Sequence, residues 1–283
     1  MRPNEEIEVY EESQLEDGSW GYFHSLAEPS KSPLTTEQVL RRLEVLGLGF
    51  QEPIIARAVA YMIEVIEGDK DLIDPKEKHH DSQVFVDFML ASWILKFQPD
   101  HAYSRLVRDQ WVEIVKGAFS QGNFDDLEYK AAYERVMNKK ARGGRIKDFV
   151  NYYHVSLLAG QLSGPMEDRI LDHILKHDKG IYYMGYHKAL IDLPDRFEGK
   201  QTLKYLASIR HLKGFKGLGE KLSHVRDWLL QNQTIEGRWD LGPTGKDKIY
   251  MPLQASWRKR DNRIEDSSQL VEEVLALLSG DDQ

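Results

Sequence analysis

The chain has 283 residues, enough for one large domain or two ordinary ones. Its 46 acidic residues outnumber 38 basic ones, a net charge of −8, which is the wrong sign for a phosphate-backbone binder without a concentrated basic patch. No cysteine is present, which excludes disulfides, thiol nucleophiles and Cys-ligated zinc and suits a reducing compartment.

The acidic opening, MRPNEEIEVYEESQ, lacks the apolar core of a signal peptide. Thr35 and Thr36 cap a helix carrying Val39, Leu40, Leu43 and Leu46 that ends near Gly47 and Gly49. Pro53 opens a second, with Ile54, Ala58, Met62 and Val65 on one face. The third, Ser82 to Phe97, is apolar all round and is expected to be buried on most sides. Its core, Val84 to Leu95, contains Asp87 and is shorter than the roughly 20 residues of a membrane span, so no span and a cytoplasmic location are expected. After an Asp100 cap, residues 101 to 119 form an amphipathic, peripheral helix. Segment 125–141 reads as an extra helix, followed by a Gly143-Gly144 loop. Lys139, Lys140, Arg142, Arg145 and Lys147 there make a solvated basic run, and no nucleic-acid partner is expected. Further helices are expected over 149–162, 165–177, 201–212, 220–232 and 267–278. Period-two alternation is almost absent, so the fold class is all-α.

Two stretches share a frame: Gln14, Gly18 and Trp20 in QLEDGSW, and Gln233, Gly237 and Trp239 in QTIEGRW. A helix, a glycine turn and an aromatic or aliphatic residue recur at Trp20, Ile73, Phe124, Tyr182 and Trp239, with separations of 53, 51, 58 and 57 residues. A steady period of this length marks stacked helical hairpins, because one hairpin cannot bury its own apolar face. The Gln can bond frayed helix-end groups, the Gly permits positive φ, and the Trp packs on the next hairpin.

WLLQNQTIEGRW, Trp228 to Trp239, resembles the QW repeat of squalene and oxidosqualene cyclases. Those enzymes share an α/α toroid with protein prenyltransferase β subunits, complement-like thioester domains and some polysaccharide-degrading enzymes. The resemblance covers most of the chain as periodicity, but only residues 14–20 and 228–239 as motif. It implies a single terpenoid cyclase- or prenyltransferase-like toroid of about five hairpins, in which the helix ending each repeat lies outside and the next lies inside. The first motif is expected to lack its helix.

The family's chemistry is missing from the sequence. There is no Asp-x-Asp-Asp proton donor; Asp69-Lys70-Asp71-Leu72 and Phe124-Asp125-Asp126-Leu127 read as turns or caps. Zinc through Asp, Cys and His is impossible, as is a thioester, and DDLEY breaks the magnesium pattern Asp-Asp-x-x-Asp at Tyr129. His173 and His177, four apart on an outer helix, lack a third ligand nearby and read as a surface pair, so no metal is expected. GFKGLGE, residues 214 to 220, reads as a helix connector.

A toroid would gather the starts of its inner helices at one mouth: Thr35 and Thr36; His79, His80, Asp81 and Ser82; Asn151, Tyr152, Tyr153 and His154; Thr202; Asp266 and Ser267. N-capping accounts for most of these. Two His-bearing starts exceed what caps require, so His80, Asp81, Tyr153 and His154 are the candidate catalytic residues. Thr36, Tyr152, Trp257, Arg258 and Asp266 are candidate ligand contacts. The repeat joints lengthen at 125–148, 183–200 and 240–265; the last holds Tyr250, Trp257, Arg258 and Arg260 and reads either as a lid or as a solvated connector. The expected function is an enzyme or binder of a small molecule in a central cavity. One rival is a non-enzymatic helical scaffold for a protein partner. Another is a carbohydrate-processing enzyme using carboxylates such as Asp81, Asp125, Asp126 and Asp266. No cofactor is indicated.

Overall fold

The computed structural model describes residues 3–25, 34–74 and 81–280, and these are helical without named strands. They fold as two compact units: the described residues of Met1–Val107 with Asp247–Ser256, and those of Arg108–Lys246 with Trp257–Gln283.

The first unit opens with α1, Pro3–Ser13, where the sequence reading expects no helix. Glu5 and Glu6 in its first turn favour the positive helix end, and glutamate is a good helix former. Next comes α2, Thr36–Val45, with a full capping box: Gln38 N donates to Thr35 Oγ1 and Thr35 N donates to the Gln38 side chain. α3, Pro53–Glu67, starts on proline as expected and stops at Gly68, whose φ of 88° reverses the chain. α4, Ser82–Phe97, matches its sequence bounds, is capped by Asp81 and packs on α3. α5, Ala102–Ala118, begins in the first unit and ends in the second. Its cap is His101 rather than Asp100: the ring Nδ1 accepts from Ser104 N at 3.3 Å, while Asp100 pairs outside with Arg105.

The second unit continues with α6, Asp126–Met137, capped by Asp125, which accepts from Leu127 N and Glu128 N. A short α7, Gly144–Lys147, replaces the expected loop. α8, Tyr152–Leu158, is half the expected length, because Phe149 and Val150 are buried outside any helix and Asn151 forms an isolated bridge with Tyr182. α9 spans Gly164–Lys176 and α10 spans Lys200–Arg210. The expected 220–232 helix is split into α11, Leu218–Lys221, and α12, Ser223–Gln231. α13, Arg260–Ser279, begins about two turns before its expected start and packs on α10, α11 and α12.

The two Gln-x3-Gly-x-Trp stretches form similar turns with three bonds in common. Gln14 Nε2 donates to Gly18 O at 2.9 Å, and Gln233 Nε2 to Gly237 O at 3.3 Å. Trp20 Nε1 donates to Tyr10 O and Trp239 Nε1 to Leu229 O, in each case ten residues back in the preceding helix. The backbone N–H of each Trp donates to a hydroxyl of the following helix, Thr36 in one and Ser268 in the other. Both indoles are buried. The first motif therefore has its helix, α1, and each copy ties two successive helices together. Two of the weaker copies lack the buried aromatic: Ile73 is 37% and Tyr182 50% exposed.

Candidate functional site

Within the first unit, the end of α3, the turn after Gly68, the start of α4 and the segment His24–Ser25 enclose a cavity of about 440 Å³. Val65, Ile66 and Phe85 supply apolar wall, and Asp69, Asp71 and Asp74 stand among its carboxylates. The segment carrying His24 is pinned in place: Phe23 N donates to Ile73 O at 3.0 Å, and the Asp74 carboxylate accepts from His24 N at 2.6 Å and Ser25 N at 2.9 Å. Ile73 is itself held by the Tyr61 hydroxyl, which accepts from its N–H.

Behind His24 lies a buried ion group. Glu37, in the first turn of α2, is 4% exposed. Its Oε1 accepts from Arg41 Nε at 3.1 Å and Nη2 at 2.5 Å, one helical turn on. Its Oε2 meets His24 Nδ1 at 2.8 Å. Burial by itself would raise the Glu37 carboxyl, but the Arg41 guanidinium and the His24 bond override it and hold the group well below the ordinary carboxylate range. A permanent carboxylate on Nδ1 requires Nδ1 to donate, which fixes the orientation of the ring. Phe85 meets the imidazole edge to face at 5.6 Å. Asp74 is pushed the other way: burial raises its carboxyl, opposed by the two backbone N–H groups and reinforced by nearby Glu37.

The residues expected from the sequence fall into both units. His79 and His80 lie outside the described residues. Asp81 accepts from Val84 N at 3.3 Å as the cap of α4, whose first two residues, Ser82 and Gln83, line the cavity. Thr36 accepts from Trp20 N. In the second unit, Tyr152 stacks on His211 at 4.2 Å, and Tyr153 and His154 are fully buried. His154 packs against Trp111 at 4.1 Å. Asn151 Oδ1 accepts from His154 N, so its amide nitrogen is the donor toward His154 Nδ1 at 2.6 Å. The neutral ring therefore bears its proton on Nε2, and burial lowers its pKa to about 3. Trp257, expected in a lid or a solvated connector, is buried and donates from Nε1 to the buried Asp266 at 2.6 Å; Arg258 is exposed.

His173 is half-buried rather than on the surface: its ring stacks on Phe124 at 4.5 Å and on Phe149 at 5.4 Å, while His177 pairs with Asp148 at 3.2 Å. Among the described residues no group of three His, Asp or Glu has metal-binding geometry, and no helix is long and apolar enough to cross a membrane. No family model, curated protein or solved structure matches the chain.

His24, Glu37, Arg41 and Asp74 carry no motif that sequence reasoning would single out. One local signal exists: α2 carries Glu37 and Arg41 one turn apart, and both are buried with its apolar positions.

Proposed function

We propose that this chain binds a small organic molecule in the cavity of its first unit, against the wall that carries His24 and its buried Glu37 partner. The carrying observation is the buried Glu37 carboxylate that fixes the orientation of the His24 ring at the wall of a cavity with both apolar and ionic surface. Structural cores rarely bury an ion group beside an open volume, whereas ligand sites combine apolar walls with a few oriented polar groups. Kinship with the α/α toroid superfamily is proposed with it, and the bonds shared by the two tryptophan turns support that reading.

Fragment binding monitored by amide chemical shifts tests the site. Fragments should perturb His24, Ser25, Ser82 and Gln83 together, and Val86→Trp, which fills the cavity, should abolish those shifts while the melting temperature stays within a few degrees. Binding that persists unchanged in a folded Val86→Trp protein would place the ligand elsewhere.

A further inference from the structure

The cavity and its Glu37–His24 pair make the site; the ring of charge at its opening selects what enters. Among the described lining residues, Glu67, Asp69, Asp71 and Asp74 face the cavity against one lysine, Lys70. Lys70 offers little positive charge to a ligand, because its ammonium sits 2.7 Å from Glu64 and 5.7 Å from the Tyr61 ring centre. Asp74 is occupied by the N–H groups of His24 and Ser25, and Glu67 meets the His101 ring at 3.4 Å. Asp69 and Asp71 have no ion-pair partner among the described residues and stand exposed at the rim. Deeper in, Phe85, Val65 and Ile66 close an apolar floor. An excess of carboxylates over cations among the described residues of a recess with low-dielectric walls concentrates cations there and repels anions.

We infer that the ligand of this cavity is an organic cation, an amine carried on an apolar body, whose ammonium meets Asp69 and Asp71 while its hydrocarbon lies against Phe85. The inference rests on the binding site proposed above.

Three probes of one shape separate the possibilities: benzylamine, benzyl alcohol and benzoate, each titrated into the full chain and followed by the amide shifts of Ser82, Gln83 and Val86. Benzylamine should bind about tenfold more tightly than benzyl alcohol at low salt, benzoate should not bind, and the preference should shrink as salt is added. Asp69→Asn combined with Asp71→Asn, both exposed and therefore harmless to folding, should erase the preference and leave benzyl alcohol unchanged. Equal binding of amine and alcohol, or tighter binding of benzoate, overturns the cation and keeps the site. Silence of these amides toward all three overturns the site itself.

Discussion

Arg42 shows what one side chain can organise. Almost fully buried, it donates from Nε and Nη2 to the two oxygens of Glu6 on α1, from Nη1 to Ile249 O and from Nη2 to Pro252 O. A single guanidinium thus joins α1, α2 and a segment 207 to 210 residues away in sequence. Removing it takes the counter-ion from Glu6, which keeps only its bond from the Tyr10 hydroxyl, and the guanidinium donors from two carbonyls, so Arg42→Ala should cost about 3 kcal/mol in urea unfolding. Arg42→Lys restores the charge but not the planar fork, and should recover only part of the loss. An alanine variant within about 1 kcal/mol of the parent would show that the group contributes no net stability. Neither Arg42 nor the His24 cluster is legible in the sequence, for one reason. Positions 24, 37 and 74 meet only because the turn after Gly68 carries Asp74 back under His24, and no helical period links them.

At the scale of elements, legibility follows the strength of the local signal. α4 is readable to the residue because an Asp cap precedes a run apolar on all sides, and the Pro start of α3 and the Thr35–Gln38 box of α2 fix those ends equally well. α8 reads too long because burial, not helicity, is what its apolar run encodes: Phe149 and Val150 are buried outside the helix. α1 escapes notice because its glutamates read as solvated, whereas Glu6 is tied to Arg42 and Tyr10 O receives the Trp20 indole. The two tryptophan turns are legible as a repeated frame, and their shared bonds make paired predictions possible. Trp20→Ala and Trp239→Ala should each cost about 3 to 5 kcal/mol, since both indoles are buried. The glycines should differ. Gly18 and Gly237 both have positive φ, so alanine strains either by roughly 1 to 2 kcal/mol, but a Cβ at Gly18 also runs into the Arg57 carbonyl while one at Gly237 meets open space. Gly18→Ala should therefore lower the urea midpoint more than Gly237→Ala; equal midpoints would mean that the α3 backbone yields to Gly18 without cost.

Across the whole molecule, the two units carry different buried ionisable groups and should yield to acid at different pH. In the second unit, His154 has a pKa lowered to about 3, so between that value and the ordinary histidine value near 6.5 the unfolded chain binds a proton that the folded chain refuses. Stability is then lost as pH falls below about 6.5, by about 2 kcal/mol at pH 5 from this residue alone. Half-buried His173, also lowered by burial and by His177, acts in the same direction. His177 opposes them: its bond to Asp148 raises it, so its contribution is complete at low pH and fades as pH rises through the raised value. In the first unit, Glu37 is lowered, so its contribution is complete above the ordinary carboxylate range and lost only as pH drops beneath it, and the raised Asp74 partly compensates there. Hydrogen exchange at about pH 5 against pH 7 should therefore show α8 losing protection while α2 keeps it, with α2 following below about pH 4. His154→Gln retains an acceptor for Asn151 without a titrating group and should abolish most of the first step. Parallel loss of α2 and α8 between those two pH values, or an unchanged α8 profile in His154→Gln, would show that the buried imidazole is not what makes the second unit acid-sensitive.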